Sequence, residues 1–446
     1  MAIWNQSIKR VLKVVIKRDF YIDKLVSVRH NGLVKVITGV RRCGKSYLLF
    51  NLYRDALKAE GVGDDHFVCV QLDDDDSEGL RTPRALSKWI KARIDQAARP
   101  TYVFIDEIQM CKPPDDERGK QGAVTFYDVL SSIMKKDGVD VYVTGSNSEM
   151  LSKDIATNFR DRGTEIRVWP LCFSEFVPYS GLEKADALDR FLTWGGMPLA
   201  VLAADDAARA SYLESLFARL YFKDIVERYN LADDGYALGA LVDVLASDIG
   251  SLTNPRRLAN SMRTEMKVGI SEPTVAAYLD HIADSFLFNK IDRWDVKGRR
   301  YLSSPSKYYA VDTGLRNARL NFRQTEMSHL MENAICNELF RRGYNVDVGV
   351  VESTERNSEG VVEKKRREID FVVNKGMKKL YIQSALTITP GGKLDQETAS
   401  LRRTGDFFRK IVVVGGSQQP RFDDDGILYV GIVPFLMDSS ILDSII

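Results

Sequence analysis

The stretch GVRRCGKS, from Gly39 to Ser46, has the residue types and the spacing of a phosphate-binding loop. Its two glycines, Gly39 and Gly44, let backbone N–H groups converge on an anion, and Lys45 is placed to reach the terminal phosphates of a nucleotide. The Ser46 hydroxyl is placed to ligate Mg²⁺. Because an apolar run precedes the loop and a helix-compatible run follows it, the stretch also has the strand–loop–helix order that such a site requires. We therefore expect a nucleotide and Mg²⁺ to bind here.

Two acidic residues that fit a hydrolytic role follow the loop by about 60 residues. The run YVFIDEIQ is apolar until Asp106 and Glu107, which places both carboxylates at the end of a strand. Asp106 suits the holding of Mg²⁺ through its water shell, and Glu107 suits the polarisation of an attacking water. The pair predicts hydrolysis rather than nucleotide binding alone.

Two further segments supply residues that could complete such a site. VYVTGSNS ends a strand in small polar residues, so Ser146 or Asn147 is expected to sense the terminal phosphate or orient the water, and the choice between them stays open. FRDRGTEIR places arginines at 160 and 162. An arginine supplied by a neighbouring subunit stabilises transferring phosphate, so Arg160 and Arg162 are both candidate catalytic residues.

The loop itself contains two arginines that the spacing does not require, Arg41 and Arg42. They are expected to contact phosphates, the preceding segment or a neighbouring subunit, with two solvated arginines as the alternative. Tyr47, directly after Ser46, completes the predicted nucleotide-binding set.

Composition excludes several other classes of protein. The chain has 446 residues and a net charge of +1, so any surface that binds nucleic acid must be local. Its five cysteines are scattered and its four histidines do not cluster with them, which predicts reduced thiols and no zinc module. No apolar run approaches the roughly 18 residues of a membrane helix. We expect a cytoplasmic protein that does not use a membrane.

The order of patterns predicts more than one domain. Four apolar runs at 34–40, 67–73, 101–107 and 140–146, with a fifth at 165–171, alternate with helix-compatible stretches. This alternation predicts a parallel sheet between helices, a three-layer α/β/α domain. Helical segments follow, and a second α/β pattern begins near residue 326.

These motifs together resemble a prokaryotic group of AAA-type ATPases, of the AAA+ superfamily, that carry a C-terminal domain of unknown function. The resemblance rests on KVITGVRRCGKS, FIDEIQ, TGSNS, PLCFSEF, GGMP, KYYAVDTGLRN and EIDFVV, and it extends over nearly the whole chain. It implies ATP, Mg²⁺ and a homo-oligomer such as a hexameric ring, and Arg162 best matches the family's arginine. The expected order is an ATPase domain over 1–180, a helical lid over 181–232, a winged-helix-like domain over 233–312 and a degenerate nuclease-like domain over 313–446.

Residues 248–312 have the layout of a winged helix, in which two capped helices precede a basic extended segment. Asn254 (or Thr253) and Ser271 are predicted helix caps, and apolar residues recur with helical spacing from Val275 to Ile282. Winged helices bind DNA or protein, and both remain open here. The candidate DNA contacts are Arg256, Arg257, Lys297, Arg299 and Arg300.

The last segment resembles the restriction-endonuclease-like fold. Glu332, Glu368 and Asp370 fit the acidic positions of its metal site. The following strand has Gln383 and Ala385 where that site has a glutamate and a lysine. We therefore expect a nuclease-like domain without ordinary nuclease chemistry.

Three functions follow from these features. The favoured one is a Mg²⁺-dependent ATPase that couples hydrolysis to the binding or remodelling of duplex or branched DNA, including Holliday junctions, in repair or recombination. The alternatives are an ATP-regulated, metal-dependent nuclease and a nucleotide-switched ATPase that binds protein.

Overall fold

The computed structural model of the chain divides into two compact units. The first contains residues 1–169 with 284–286, and the second contains 170–283 with 287–446. The division at 169/170 precedes the boundary at 180 predicted from the sequence, and the predicted boundaries at 232 and 312 fall inside the second unit. The structure describes residues 14–117, 120, 122–145, 162–218, 222–229, 231, 235–323, 326–356, 362–388 and 398–443.

A five-stranded parallel sheet forms the centre of the first unit, with the strand order β2-β3-β4-β1-β5. Every residue of β1 and β3 is buried, which requires cover on both faces of the sheet. The four main strands confirm the sequence prediction, and the fifth begins two residues earlier than expected. The strands are β1 Val34–Thr38, β2 Phe67–Gln71, β3 Thr101–Asp106, β4 Val139–Thr144 and β5 Gly163–Arg167.

Four helices accompany this sheet among the described residues. The helix after the phosphate-binding loop, α2, begins as Lys45–Tyr47, widens to a π-helix over Leu48–Tyr53 and ends as Arg54–Ala59. Helix α4 begins with a capping box in which Thr125 and Asp128 exchange hydrogen bonds. Helix α4 is Phe126–Ile133. The other two helices are α1 Asp19–Ser27 and α3 Pro83–Ile94.

The second unit begins with helices, several of which start where the sequence predicted. The Asn254 side chain accepts a hydrogen bond from the Arg257 N–H at 2.7 Å, and Ser271 accepts one from the Thr274 N–H at 3.2 Å. Both predicted caps are thus confirmed. The helices are α5 Phe173–Ser180, α6 Lys184–Trp194, α7 Pro198–Val201, α8 Asp206–Leu216, α9 Phe222–Arg228, α10 Gly235–Ser247, α11 Pro255–Thr264 and α12 Glu272–Asp284.

An eight-stranded mixed sheet forms the rest of the second unit, in the order β12-β13-β11-β10-β9-β8-β6-β7. The hairpin β6–β7 joins this sheet because β6 pairs in parallel with β8. The predicted boundary at 312 would separate this hairpin from the last segment, whereas the hairpin and the last segment share one sheet. The strands are β6 Phe288–Asp295, β7 Arg300–Ala310, β8 Asn345–Arg356, β9 Val362–Lys375, β10 Lys378–Ala385, β11 Arg409–Val414, β12 Arg421–Phe422 and β13 Leu428–Gly431, and the helices are α13 Thr313–Arg319, α14 Met327–Arg341 and α15 Ile432–Met437.

Two motifs of the resemblance, GGMP and VDTGLRN, are explained by their contact with each other. The buried Asp312 carboxylate accepts hydrogen bonds from the N–H groups of Gly196 at 2.6 Å and Leu315 at 2.9 Å. A Cβ on Gly195 would overlap that carboxylate, so no larger residue fits. Burial raises the pKa of Asp312 to about 6, although its backbone hydrogen bonds oppose the shift. These residues serve the packing of the second unit.

Other features of the chain bear on the classes that composition excluded. The five cysteines are all free thiols in the structure. Within the described ranges, no helix is long and apolar enough to cross a membrane. The same part of the chain contains no group of three or more His, Cys, Asp or Glu side chains arranged to hold a metal ion.

Replacement of Asp312 by alanine is expected to destabilise the second unit by about 2–4 kcal/mol, because the buried N–H groups of Gly196 and Leu315 lose their acceptor. Urea unfolding monitored by circular dichroism measures the loss. Asp424→Ala, at an exposed position, is the matched control and should change the free energy of unfolding by less than about 0.5 kcal/mol. Equal midpoints for the two variants would contradict the role given to Asp312.

Candidate nucleotide-binding site

The phosphate-binding loop has the backbone conformation that its sequence predicts. Gly39 and Gly44 have φ angles of 137° and 98°, in the left-handed region that favours glycine. A Cβ on Gly39 would overlap the Val168 carbonyl, so the loop needs glycine for space as well as for conformation. Arg42 also has a positive φ, of 65°. The loop thus turns sharply between β1 and α2 and points its N–H groups toward one concave surface.

Lys45 and Ser46, predicted to contact the phosphates and Mg²⁺, both contact groups at the loop or at the end of β3. Lys45 is buried, and its ammonium donates hydrogen bonds to the carbonyls of Gly39 at 3.0 Å and Val40 at 3.1 Å. The Ser46 hydroxyl donates to Asp106 Oδ1 at 2.9 Å. The loop, the start of α2 and the end of β3 therefore meet at these side chains.

Thr144, at the end of β4, links the two acidic residues and was not anticipated from the sequence. Its hydroxyl donates a hydrogen bond to Asp106 Oδ1, the same oxygen that Ser46 contacts. The Thr144 oxygen also accepts a hydrogen bond from the Glu107 N–H at 3.1 Å. Asp106 and the backbone of Glu107 are thereby fixed by one side chain from the neighbouring strand.

Glu107 has an unusual backbone conformation for a residue with a long side chain. Its φ and ψ angles are 48° and 50°, in the left-handed region. The Gln109 amide donates a hydrogen bond to its carboxylate. This turn directs the carboxylate away from the line of β3, at the edge of the sheet where the loop lies, and strain at such a position is typical of functional sites.

A buried arginine supports the loop from the segment before α1. Arg18 donates hydrogen bonds to the carbonyls of Cys43 at 3.3 Å and Trp169 at 2.8 Å, and its guanidinium lies 4.5 Å from the centre of the Tyr21 ring. Tyr21 in turn accepts a hydrogen bond from the Trp169 N–H at 3.0 Å. The crest of the loop is therefore fixed to the chain after β5.

The remaining predicted residues of the loop differ in exposure. Arg42 is exposed and Arg41 is partly buried. Tyr47 exposes 41% of its surface next to Ser46. Cys43 is buried with its thiol directed at the Val168 carbonyl, so this position has room for only a small residue.

The predicted sensor and arginine residues have different outcomes. Ser146, Asn147 and Arg160 lie outside the described residues. Arg162 is exposed at the start of β5, where its carbonyl accepts a hydrogen bond from the Val34 N–H at 3.0 Å. Arg162 lies beside the first residue of β1, whereas the phosphate-binding loop follows the last. Since β1 has five residues, the backbone of Arg162 lies about 16 Å from the loop. The geometry places Arg162 away from the phosphate site of its own chain.

In the second unit, the predicted acidic residues converge, but on a lysine that was not predicted. Glu332, Glu368 and Asp370 surround the ammonium of Lys307 at 3.1, 2.6 and 3.9 Å. Position 385, where the nuclease-like pattern has a lysine, is an alanine. The lysine of the cluster is instead Lys307, which lies on β7. No local pattern could have identified it, because it lies 25 residues before the nearest of its partners.

The donor set of the first unit fits Mg²⁺ and a nucleoside triphosphate. Mg²⁺ prefers oxygen ligands, and the Ser46 hydroxyl and the Asp106 carboxylate provide them side by side. The glycine backbone and Lys45 provide the donors that phosphates require. Glu107 follows Asp106 directly, and its carboxylate, which accepts a hydrogen bond from Gln109, is a group that can accept a proton from water.

Comparison with known families agrees with this assignment. A family model described as an AAA domain matches residues 31–177, which contain all the elements of the site. A model described as a domain of unknown function (DUF8612) matches residues 185–326.

Two relatives match most of the chain, and the names of both describe no activity. The chain is 29% identical over 430 residues to an uncharacterized protein of Haemophilus influenzae, which covers 95% of this chain and 99% of that protein. It is 28% identical over 374 residues to an uncharacterized protein of Methanocaldococcus jannaschii, with coverage of 80% and 75%. Among solved structures, the Aeropyrum pernix ORC1 protein in complex with DNA is 14% identical, covers 70% of this chain and 94% of its own, and has a TM-score of 0.28, which is too low to support an inference. By these matches the chain contains an AAA domain over residues 31–177, which include the phosphate-binding loop and the acidic pair, and a domain of unknown function over residues 185–326.

Proposed function

We propose that the chain hydrolyses Mg-ATP and couples binding and hydrolysis to the binding or remodelling of DNA, with branched DNA such as Holliday junctions as the substrate class in repair or recombination. The observation that supports hydrolysis most directly is the shared oxygen of Asp106, which Ser46 and Thr144 both contact next to Glu107. A site that only bound nucleotide would need neither the fixed Glu107 nor the bridge to it.

Each residue of the site has a separate task in this proposal. Lys45 leaves part of its contact with the loop carbonyls to bind the β- and γ-phosphates, and Mg²⁺ neutralises phosphate charge when it is bound. Asp106 and Ser46 orient the Mg²⁺ water shell, while Glu107 accepts a proton from the attacking water. Thr144 keeps Asp106 and Glu107 in register, and Ser146 or Asn147 senses the terminal phosphate.

Arg162 is proposed to act on the nucleotide of a neighbouring subunit. Its exposure, and its place at the edge of the sheet opposite the loop, fit a residue that serves another chain. An arginine that contacts the transferring phosphate contributes about 10³–10⁵ in rate. We infer a closed homo-oligomer, such as a hexameric ring, in which each site is completed by the next chain.

The second unit is proposed to provide the DNA contacts. Helices α11 and α12 followed by the β6–β7 hairpin have the order of a winged helix. The candidate contacts are all exposed, as phosphate binding requires. They are Arg256 and Arg257 in the first turn of α11, and Lys297, Arg299 and Arg300 at the β6–β7 turn.

Strand β9 adds basic residues to the same end of the sheet. Asp295, at the end of β6, pairs with Val350 of β8, and β8 beyond that point pairs with the basic run of β9. Since neighbouring strands are about 5 Å apart, the basic run lies roughly 10 Å from the β6–β7 turn. The run contains Lys364, Lys365, Arg366 and Arg367. Because successive strand residues face opposite sides and Arg366 pairs with Glu352, we infer that part of this run joins the β6–β7 turn in one local basic surface.

Acidic residues on helix α12 favour protein binding as the function of that helix. Glu272 and Asp280 are both exposed on α12, the helix that a winged helix would present to DNA. Carboxylates repel phosphate, so α12 is better suited to contact protein. A nucleotide-switched ATPase that grips protein through this helix is the alternative function. Nuclease activity is not part of either proposal.

Loss of the Thr144 hydroxyl should slow hydrolysis more than it weakens ATP binding. Thr144→Val leaves Asp106 with one hydroxyl donor and the Glu107 N–H without an acceptor, which is worth about 10-fold to 100-fold in turnover. Phosphate release and nucleotide titration measure the two effects. Thr144→Ser keeps the hydroxyl and should turn over ATP within about threefold of the parent. A valine variant with parental turnover would refute the bridge.

Binding of DNA should depend on salt and on the basic surface of the second unit. Fluorescence anisotropy with duplex, fork and four-way junction at two salt concentrations is expected to show weaker binding at higher salt. Arg299→Ala combined with Lys365→Ala should weaken binding about 10-fold and lower the salt slope by about 2. The control pair Arg84→Ala and Lys88→Ala removes the same charge from the first unit. The DNA proposal fails, and the protein-binding alternative gains, if none of the three DNAs binds in a salt-dependent manner.

Two inactive variants should restore activity to each other if Arg162 acts between chains. Arg162→Ala lacks the arginine but has an intact site, whereas Glu107→Gln has a dead site but an intact arginine. A mixed oligomer contains intact sites next to intact arginines, so its turnover should exceed that of either variant by about 10-fold or more. Turnover that equals the average of the two separate variants would show that Arg162 does not act in a neighbouring site.

A further inference from the structure

Lys307 lies at the centre of three carboxylates in the second unit. Its side chain is almost fully buried, at 4% exposure, and its ammonium is 2.6 Å from Glu368 and 3.1 Å from Glu332. Asp370 completes the set at 3.9 Å. The four residues come from β7, α14 and β9, which meet only in the folded chain. We refer to these four residues as the Lys307 cluster.

Strand alternation places Asp370, like Glu368, on the face of β9 that meets this cluster, and a register shift lies next to it. The pairing with β8 changes between Asp347 and Gly349, and β9 has one extra residue at that point. Ile369 belongs to the hydrophobic core of the sheet, as does Val372 three residues later. The residues between them therefore face the other side, where Asp370 approaches Lys307.

Further hydrogen bonds hold two of the three carboxylates, those of Glu332 and Asp370, in position. Tyr309 donates to Glu332 Oε1, the oxygen that also contacts Lys307. The Ser384 N–H donates to Asp370 Oδ2 at 2.8 Å. The cluster is thus a prepared site for one cation, with oxygens fixed by groups other than that cation.

The charges identify the ammonium as that cation. Burial by itself lowers the pKa of Lys307, but the charges of Glu332, Asp370 and Glu368 outweigh it and leave the pKa above its ordinary value. Burial, and then the charge of Glu332, raise the pKa of Asp370 well above its ordinary value. The short distances from its ammonium to Glu332 and Glu368 show that Lys307 fills the space between these carboxylates.

A nuclease-like fold implies a divalent metal at these carboxylates, and the residues present do not fit one. Mg²⁺ needs oxygen ligands at 2.0–2.1 Å, whereas the inward oxygens of Glu332 and Glu368 contact an ammonium. A metal ion bound to those oxygens would lie next to a buried positive charge, where repulsion is weakly screened. In keeping with this, the described residues contain no group of three or more His, Cys, Asp or Glu side chains arranged to hold a metal ion.

We propose that Lys307 is a built-in cation that occupies the place of a divalent metal in the second unit, so that the folded chain keeps this site closed to metal. Removal of the ammonium uncovers a site for a hard divalent cation with oxygen ligands from Glu332, Glu368 and Asp370. The proposal concerns the second unit and does not rest on ATP hydrolysis.

Binding of Mn²⁺ to the full chain, measured by electron paramagnetic resonance without nucleotide, tests this proposal. Ser46→Ala serves as the parent background, because it removes one of the two expected metal ligands of the first unit. Lys307→Ala and Lys307→Gln are each expected to gain about one Mn²⁺ per chain, with affinity at least about 10-fold above the parent. Adding Asp370→Asn should abolish the gain. Lys290→Ala, which removes an exposed lysine from the same sheet, is the control and should behave as the parent.

Three results would overturn the proposal. The first is Mn²⁺ binding by the parent that Asp370→Asn abolishes, because metal and Lys307 would then occupy the site together. The second is a folded Lys307 variant, judged by circular dichroism, that gains no Mn²⁺. The third is failure of both Lys307 variants to fold even with Mn²⁺ present, since the uncovered carboxylates are expected to accept that ion in place of the ammonium.

Discussion

The nucleotide site depends on one buried carboxylate oxygen. Asp106 Oδ1 accepts hydrogen bonds from Ser46 at the start of α2 and from Thr144 at the end of β4. Hydrogen bonds to a charged group contribute about 1.5–3 kcal/mol each, so this oxygen fixes three elements at one point. The position of Glu107 follows from it, because Thr144 also binds the Glu107 N–H. The family match over residues 31–177 is consistent with this geometry.

The sequence predicted the features whose causes are local. Gly39, Lys45 and Ser46 stand in a fixed spacing, and the apolar run before Asp106 identified its strand, so the loop and the acidic pair were both found. Thr144 and Arg18 were missed because their roles depend on neighbours that are distant in sequence, at Asp106 and Trp169. The sequence did have a weak signal for Thr144, since it ends a strand directly before the small residues thought to sense phosphate.

The second unit shows the same limit more strongly. Helix caps at Asn254 and Ser271 were predictable because a cap depends on three or four adjacent residues. The boundary predicted at 312 divides strands of one sheet. The pairing of β6 with β8 could not be foreseen because the paired residues are more than 50 positions apart. For the same reason the sequence showed a nuclease-like site without its lysine, whereas the fold brings Lys307 to the carboxylates. The motifs GGMP and VDTGLRN, which contributed to the family resemblance, are explained by packing around Asp312.

The rate of ATP hydrolysis by the full chain tests the central claim most directly. It should be measured without DNA and with duplex, fork and four-way junction, for the parent and for Glu107→Gln. The account predicts Mg²⁺-dependent turnover that rises with at least one DNA and falls about 100-fold or more in the variant, which still binds ATP. Parental turnover by Glu107→Gln would contradict the assignment of the site, and turnover that no DNA changes would contradict its coupling to DNA.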